Sequence, residues 1–201
     1  PLVIIKLFSC IFNFVMAIAG LLLASTLGEH RIEQKILLYA LLLLNPITVL
    51  NAAAWGQCDA MYTVFCILAL YGIGCNFSNK KHWYATGDGI CFLCAIAFCF
   101  KLQAVFLLPV LGLLLVKQKT NLIKLIHFFW IPVMYIISCI PMFLAGRSFK
   151  NMISLYLGQA GRKYGSLTMN YPNLYSLIGS GSESAYQGYF YFGLLMAFFI
   201  L

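Results

Sequence analysis

A carboxylate that takes a proton and cations that hold an anion are the groups this sequence offers for chemistry, and its carboxylates are few. Asp59 is one of five acidic residues among 201 and stands in the stretch NAAAWGQCDAMY, residues 51–62, between two long apolar runs. An acid at membrane depth is costly, and such residues usually serve a pathway, a metal or a reaction. Trp55 and Gln57 lie just before it. A structural role fits the same position: Asp59 as an N-cap, accepting backbone N–H bonds at the start of a helix that opens near Ala60. The two roles are compatible. Trp55 fits an interfacial aromatic belt equally well.

The elements that must position Asp59 are membrane helices. The chain is 63% hydrophobic and 9% charged, with mean hydropathy +0.92. A soluble domain of ordinary surface-to-volume ratio has no room for that much apolar surface. Hydropathy places spans near 7–26, 36–54, 60–77, 84–100, 103–117 and 125–146, with another opening near 189. At roughly 20 apolar residues per crossing, the fold expected is an all-α polytopic transmembrane helix bundle with about seven spans. Residues 1–201 read as one transmembrane domain, and the start at Pro1 and the stop at Leu201 inside an apolar run read as a fragment of a longer chain. Asn45-Pro46 predicts a bend or break in its helix, and bent helices make pockets. Residues 84–117 as a single helix would measure about 51 Å, too long for one crossing. A split at Lys101 and Gln103 gives two short spans whose junction dips below the membrane surface, as half-helices do around cavities.

Charge assigns the sides. The connections at 27–35 (His30, Arg31, Lys35), 78–83 (Lys80, Lys81, His82) and 117–124 (Lys117, Lys119, Lys124) alternate with short or nearly uncharged ones, so the positive-inside rule sets them in the cytoplasm. The turns at 55–59 and 101–103 and the long stretch 147–188 then face outward. That outer face holds six bases (Lys6, Lys101, Arg147, Lys150, Arg162, Lys163) against two acids (Asp59, Glu183). An outer loop rich in bases and aromatics wants an anion as its partner. For Arg147 and Lys150, contact with lipid headgroups past a helix end competes with binding of a phosphorylated lipid substrate.

Other motifs carry less. The eight cysteines fall almost entirely inside apolar runs, where a thiol packs as a small hydrophobe, and Cys91-x-x-Cys94 has no second pair or His cluster to complete a zinc site. The net charge of +8 comes without a basic stripe of interleaved aromatics, so no nucleic-acid partner is expected. Residues 164–189 mix tyrosines with Asn, Ser and Gly, which suits a sugar or a headgroup as well as an interfacial loop. Gly179-Ser180-Gly181-Ser182 is a flexible hinge. Asn76-Phe77-Ser78 is a glycosylation sequon on the predicted cytoplasmic side, where that chemistry is absent.

The stretch LLLNPITVLNAAAWGQCDAMYTVFCILALY, residues 41–71, resembles the GT-C class of lipid-linked-sugar glycosyltransferases. Within that class it is similar to bacterial proteins related to the second mannosyltransferase of GPI-anchor synthesis, in their pattern of Asn-Pro, a later Asn, then Trp-Gly-Gln-x-Asp. Three further stretches echo the family in order: IIKLFSCIFNF (4–14), FKLQAVFLLP (100–109) and YPNLYSLIG (171–179). The sequence departs from the pattern at Asn13, where an Asp is usual, at Leu102, where a Pro is usual, and at Ala60, where a Ser often follows the Asp. Such enzymes also carry a catalytic carboxylate on the first outer loop, which would lie upstream of Pro1.

The resemblance implies transfer of a hexose, mannose or glucose, from a polyprenyl-phosphate sugar to a glycan or glycolipid acceptor, with inversion, on the outer face of a multi-pass protein of the bacterial cell membrane. It implies Asp59 as catalytic base. Asn51, Trp55, Gln57, Gln103 and Asn173 would contact the sugar or acceptor, and Lys101, Arg147, Lys150, Arg162 and Lys163 would hold the phosphate. No metal or other cofactor is expected. A transporter or flippase for a lipid-linked or anionic substrate is the rival reading, since bent helices, an acid and a basic cavity also serve a carrier. A non-catalytic scaffold of an envelope-polymer complex is the other.

Overall fold

The computed structural model describes residues 2–116, 122–148, 150, 191–193 and 195–196. Among the described residues seven main helical elements follow one another, with a short 3₁₀ turn at Trp83–Ala85 and no strand. They are α1 (Leu2–Ala24), α2 (Ile32–Leu43), α3 (Pro46–Ala54), α4 (Asp59–Phe77), α5 (Gly87–Phe100), α6 (Leu102–Val116) and α7 (Leu125–Leu144). Three of them, in α1, α4 and α7, are long and apolar enough to cross a membrane, and α2 with α3 makes a fourth if the bent pair is one span. This falls short of the seven crossings expected. Helices α5 and α6 are apolar but shorter than a full crossing, and most of the span expected from 189 onward lies outside the described residues.

The breaks fall where the sequence dictates. Pro46 has no N–H to give and disfavours helical geometry in the residue before it, so α2 ends at Leu43 and α3 starts at Pro46 after a 46° bend. Asn45 caps the new helix, its side-chain oxygen accepting from the N–H of Ile47 at 2.9 Å. After one α-turn, Leu50–Ala54 widens into a π-turn, closed by the Trp55 N–H on the Leu50 carbonyl at 3.1 Å. Lys101 is extended, with φ −157° and ψ 135°, and separates α5 from the 3₁₀ start of α6. Both junctions predicted from sequence are therefore present as helix breaks.

The chain forms two compact units, Pro1–Pro141 and Met142–Leu201. In the first unit α4 packs against both α1 and α5. The α4–α5 seam holds Ala69, Ile73, Ile90 and Cys94, with Leu107 and Leu111 of α6 against them. Helices in lipid associate through close packing of small residues because lipid tails offer the same apolar surroundings as a partner. Gly72 and Gly89 show it: a methyl on either would run into the backbone of the Trp83–Ala85 turn, which lies between α4 and α5. On α1, Ser9, Asn13 and Ala17 recur at the four-residue spacing of one helix face and are all buried. Among the described residues the Ser9 hydroxyl has no hydrogen-bond partner. None of the eight cysteines forms a disulfide. In the second unit, Arg147 and Lys150 are exposed.

Candidate functional site

The site forms where α3, the turn 55–58 and the start of α4 meet α1 and the α5–α6 break. The π-turn carries Asn51, whose side-chain N–H₂ donates to Oδ2 of Asp59 at 2.8 Å. The chain then reverses through Gly56 at φ +66°, a left-handed conformation that a side chain would strain. The stem of Lys6 from α1 lies over this glycine, 3.1 Å from where a Cβ would stand, so a substituent there would also displace it. The Gln57 N–H donates back to the Asn51 carbonyl at 3.0 Å and closes the turn.

Asp59 is the first residue of α4, and Cys58 holds the cap position. This corrects the N-cap expectation. The Asp59 carboxylate does not turn back on its own helix but reaches Asn51 with one oxygen and the Lys101 ammonium with the other. Lys101 comes from 42 residues further along and stands at the α5–α6 break, with its backbone N–H on Ala97 at 3.1 Å. Its ammonium also lies 5.9 Å from the centre of the Tyr62 ring, within cation–π reach. The pair is half-buried: the side chains of Lys101 and Asp59 keep 27% and 31% of their accessibility. Solvent therefore still reaches both charges, and the ion pair contributes little to stability.

Beside Asp59 lies a cavity of about 220 Å³, walled by α1, α3, the turn and α4. Asn13, Thr48, Asn51, Gln57, Asp59 and Thr63 line one part of it, and Met16, Ile47, Ala52 and Ala60 give it an apolar remainder. The volume is below the range of roughly 300–1,000 Å³ usual for drug-sized ligands and suits a single ring with its substituents. Asn13, almost fully buried on α1, donates to the Thr48 carbonyl at 3.3 Å and so ties α1 to the bent segment. The Thr63 hydroxyl donates to the Asp59 carbonyl at 2.8 Å, one turn into α4. Three amides, two hydroxyls and a carboxylate supply donors and acceptors in mixed array, the chemistry that matches a hydroxyl-rich neutral group.

Of the residues expected to form a site, Asp59, Asn51 and Gln57 line this cavity and Lys101 binds Asp59 directly. Trp55 does not join them. It closes the π-turn with 70% of its surface exposed, as an aromatic-belt residue would be. Gln103 sits exposed in the first turn of α6, off the cavity wall, because the 3₁₀ turn starting at Leu102 points it outward. Arg147 and Lys150 belong to the second unit. Arg162, Lys163 and Asn173 lie outside the described residues.

Sequence reasoning did not single out Thr48, Tyr62 or Thr63, and it noted Asn13 only as a departure from a family pattern. Asn13 had a usable signal, a fully polar amide inside a 23-residue apolar helix. The hydroxyls carried none, since threonines are common in such helices. Among the described residues no group of three or more His, Cys, Asp or Glu side chains converges as a metal would require. Compared with protein-family models, curated proteins and solved structures, the chain matches none.

Proposed function

We propose that this chain is part of an integral membrane glycosyltransferase that moves a hexose from a polyprenyl-phosphate sugar to a glycan or glycolipid acceptor on the extracytoplasmic face. The observation that carries the reading is Asp59, a lone carboxylate on the wall of a cavity of single-ring size lined by polar and apolar side chains, oriented by Asn51 and facing the cation Lys101. Inverting transfer needs these parts. The acceptor hydroxyl oxygen attacks C1 of the hexose, forming the new C–O bond. The bond from C1 to the phosphate oxygen breaks, and the polyprenyl phosphate leaves with the electron pair. The acceptor proton passes to the Asp59 carboxylate as general base. Lys101 offsets the negative charge that grows on the departing phosphate, while Asn13, Asn51 and Gln57 hold the ring hydroxyls. The excess of bases in the opposite connections, Lys80, Lys81 and His82 among them, supports an extracytoplasmic site through the positive-inside rule.

The bent pair α2–α3 with its π-turn favours a second reading, a carrier for a lipid-linked anion, because broken helices beside an acid also build transport sites. One experiment separates the two. Full-length protein in liposomes is given polyprenyl-phosphate hexose labelled in the sugar, together with membranes as acceptor source. A transferase releases polyprenyl phosphate and puts label into a new glycosidic linkage. A carrier moves the intact lipid to the other leaflet. Label that stays on the polyprenyl lipid at all protein concentrations overturns the transferase.

A further inference from the structure

We propose that Asp59 is a place-holder on Lys101, displaced by the phosphate of the incoming lipid, so that anion binding and release of the base are a single event. This rests on the reading of the site given above, and it sets an order, phosphate-bearing donor before acceptor. As folded, the carboxylate and the ammonium neutralise each other, so the base is engaged and the anion site is filled. A phosphate on Lys101 stands beside Asp59, and two like charges at that separation repel strongly where water is partly excluded. Asn51 keeps hold of the other carboxylate oxygen, so displacement from Lys101 frees one oxygen while the group stays on the cavity wall.

Charge balance supports the exchange. Lys6 and Asn13 lie on one face of α1, seven residues apart, and the stem of Lys6 crosses Gly56 next to the turn that carries Asp59. Among the described residues Lys6 has no carboxylate partner. With a singly charged phosphodiester bound to Lys101, the groups on and beside the turn, Lys6, Lys101, Asp59 and the phosphate, would carry two charges of each sign. Counted with Lys6, this end of the helices is one anion short as it stands, and a phosphate ester would supply that charge.

The test is equilibrium binding to the full chain in nanodiscs, with polyprenyl phosphate, inorganic phosphate and uncharged polyprenol as probes. Removing the competitor should help the anion: Asp59→Asn and Asp59→Ser are expected to bind polyprenyl phosphate about 10- to 100-fold tighter than the unmodified protein. Asp59→Glu, which keeps the charge, is expected to bind as the unmodified protein does. Lys101→Met should lose binding, and polyprenol should bind equally to all variants. The same ordering with inorganic phosphate identifies a site for the anion alone; an ordering confined to polyprenyl phosphate identifies the lipid as its source. Asp59→Asn and Asp59→Ser binding no tighter than the unmodified protein, or Lys101→Met binding as well, overturns the exchange. Sugar transfer that fails while this ordering holds removes the transferase reading and leaves the exchange standing. Transfer that proceeds without the ordering does the reverse.

Discussion

Two carboxylates, each in the first turn of a helix, stand at opposite ends of the α4–α5 pair, about 28 Å of helix apart. Each is held by a side chain 42 residues further along, Asp59 by Lys101 and Asp88 by Trp130. Their surroundings differ. Asp88 is exposed, takes one neutral N–H from the Trp130 indole at 3.0 Å, and begins a helix already capped by the Thr86 hydroxyl on the Gly89 N–H. Around it the packing is tight: Gly87 abuts the His127 ring, and Trp130 meets Phe92 edge-on at 5.3 Å. Asp59 begins a helix with no side-chain cap, next to a π-turn and a left-handed glycine, and it borders a cavity. A helix dipole and one neutral donor suffice to hold a carboxylate as a tie between helices. A cation, an amide and open volume are more than a tie requires, and they are why we propose this end as the one that takes a ligand.

The comparison breaks first if the two acids behave alike. Asp59→Asn is expected to lower sugar transfer in liposomes by about 10²- to 10⁴-fold, whereas Asp88→Asn leaves the rate as it was; equal losses would place both acids in a structural class. Next in size is Asn51→Leu, which lets the Asp59 carboxylate swing. A mispositioned base costs up to about 100-fold in turnover, read as a fall in kcat with the yield of folded protein unchanged. Gly89→Ala acts at the tied end instead. Its methyl meets the Trp83 carbonyl, and such overpacking costs about 1–3 kcal/mol, so a melting curve should shift down while polyprenyl-phosphate binding per folded molecule stays constant. Trp130→Phe has the smallest effect. It removes the indole N–H from Asp88 but keeps the ring against Phe92, and a single exposed hydrogen bond contributes at most about 1 kcal/mol. A larger drop in melting stability would mean that the Asp88–Trp130 contact carries more of the packing at this end than one exposed hydrogen bond can.

Much of the backbone was legible in the chain. The six hydropathy runs all fall on helical elements, the run 36–54 on two of them and the run 7–26 on a helix that starts five residues earlier, since long apolar runs have few other solutions in a membrane. The break at Asn45-Pro46 followed from the missing N–H of proline. The break at Lys101 followed from the length of a bilayer. The site was legible only in part. Asp59 stood out because carboxylates are scarce, and Asn51 and Gln57 because they lie near it. Trp55 looked equally suited and faces outward, because where a π-turn ends decides which way the next residue points.

What the sequence determined by itself was therefore local and compositional: that the chain is a set of apolar helices, where two of them break, and which acid is unusual. Only the tertiary structure decided that Asp59 meets Lys101 rather than its own helix end, that Asn13 of α1 joins the cavity, and that Gln103 does not. The physical reason is that hydropathy and backbone geometry act over a few residues, whereas the rotation of each helix about its axis is set by the close packing of small residues such as Gly72 and Gly89 along the seams. That rotation, and no local signal, selects which polar side chains face one another.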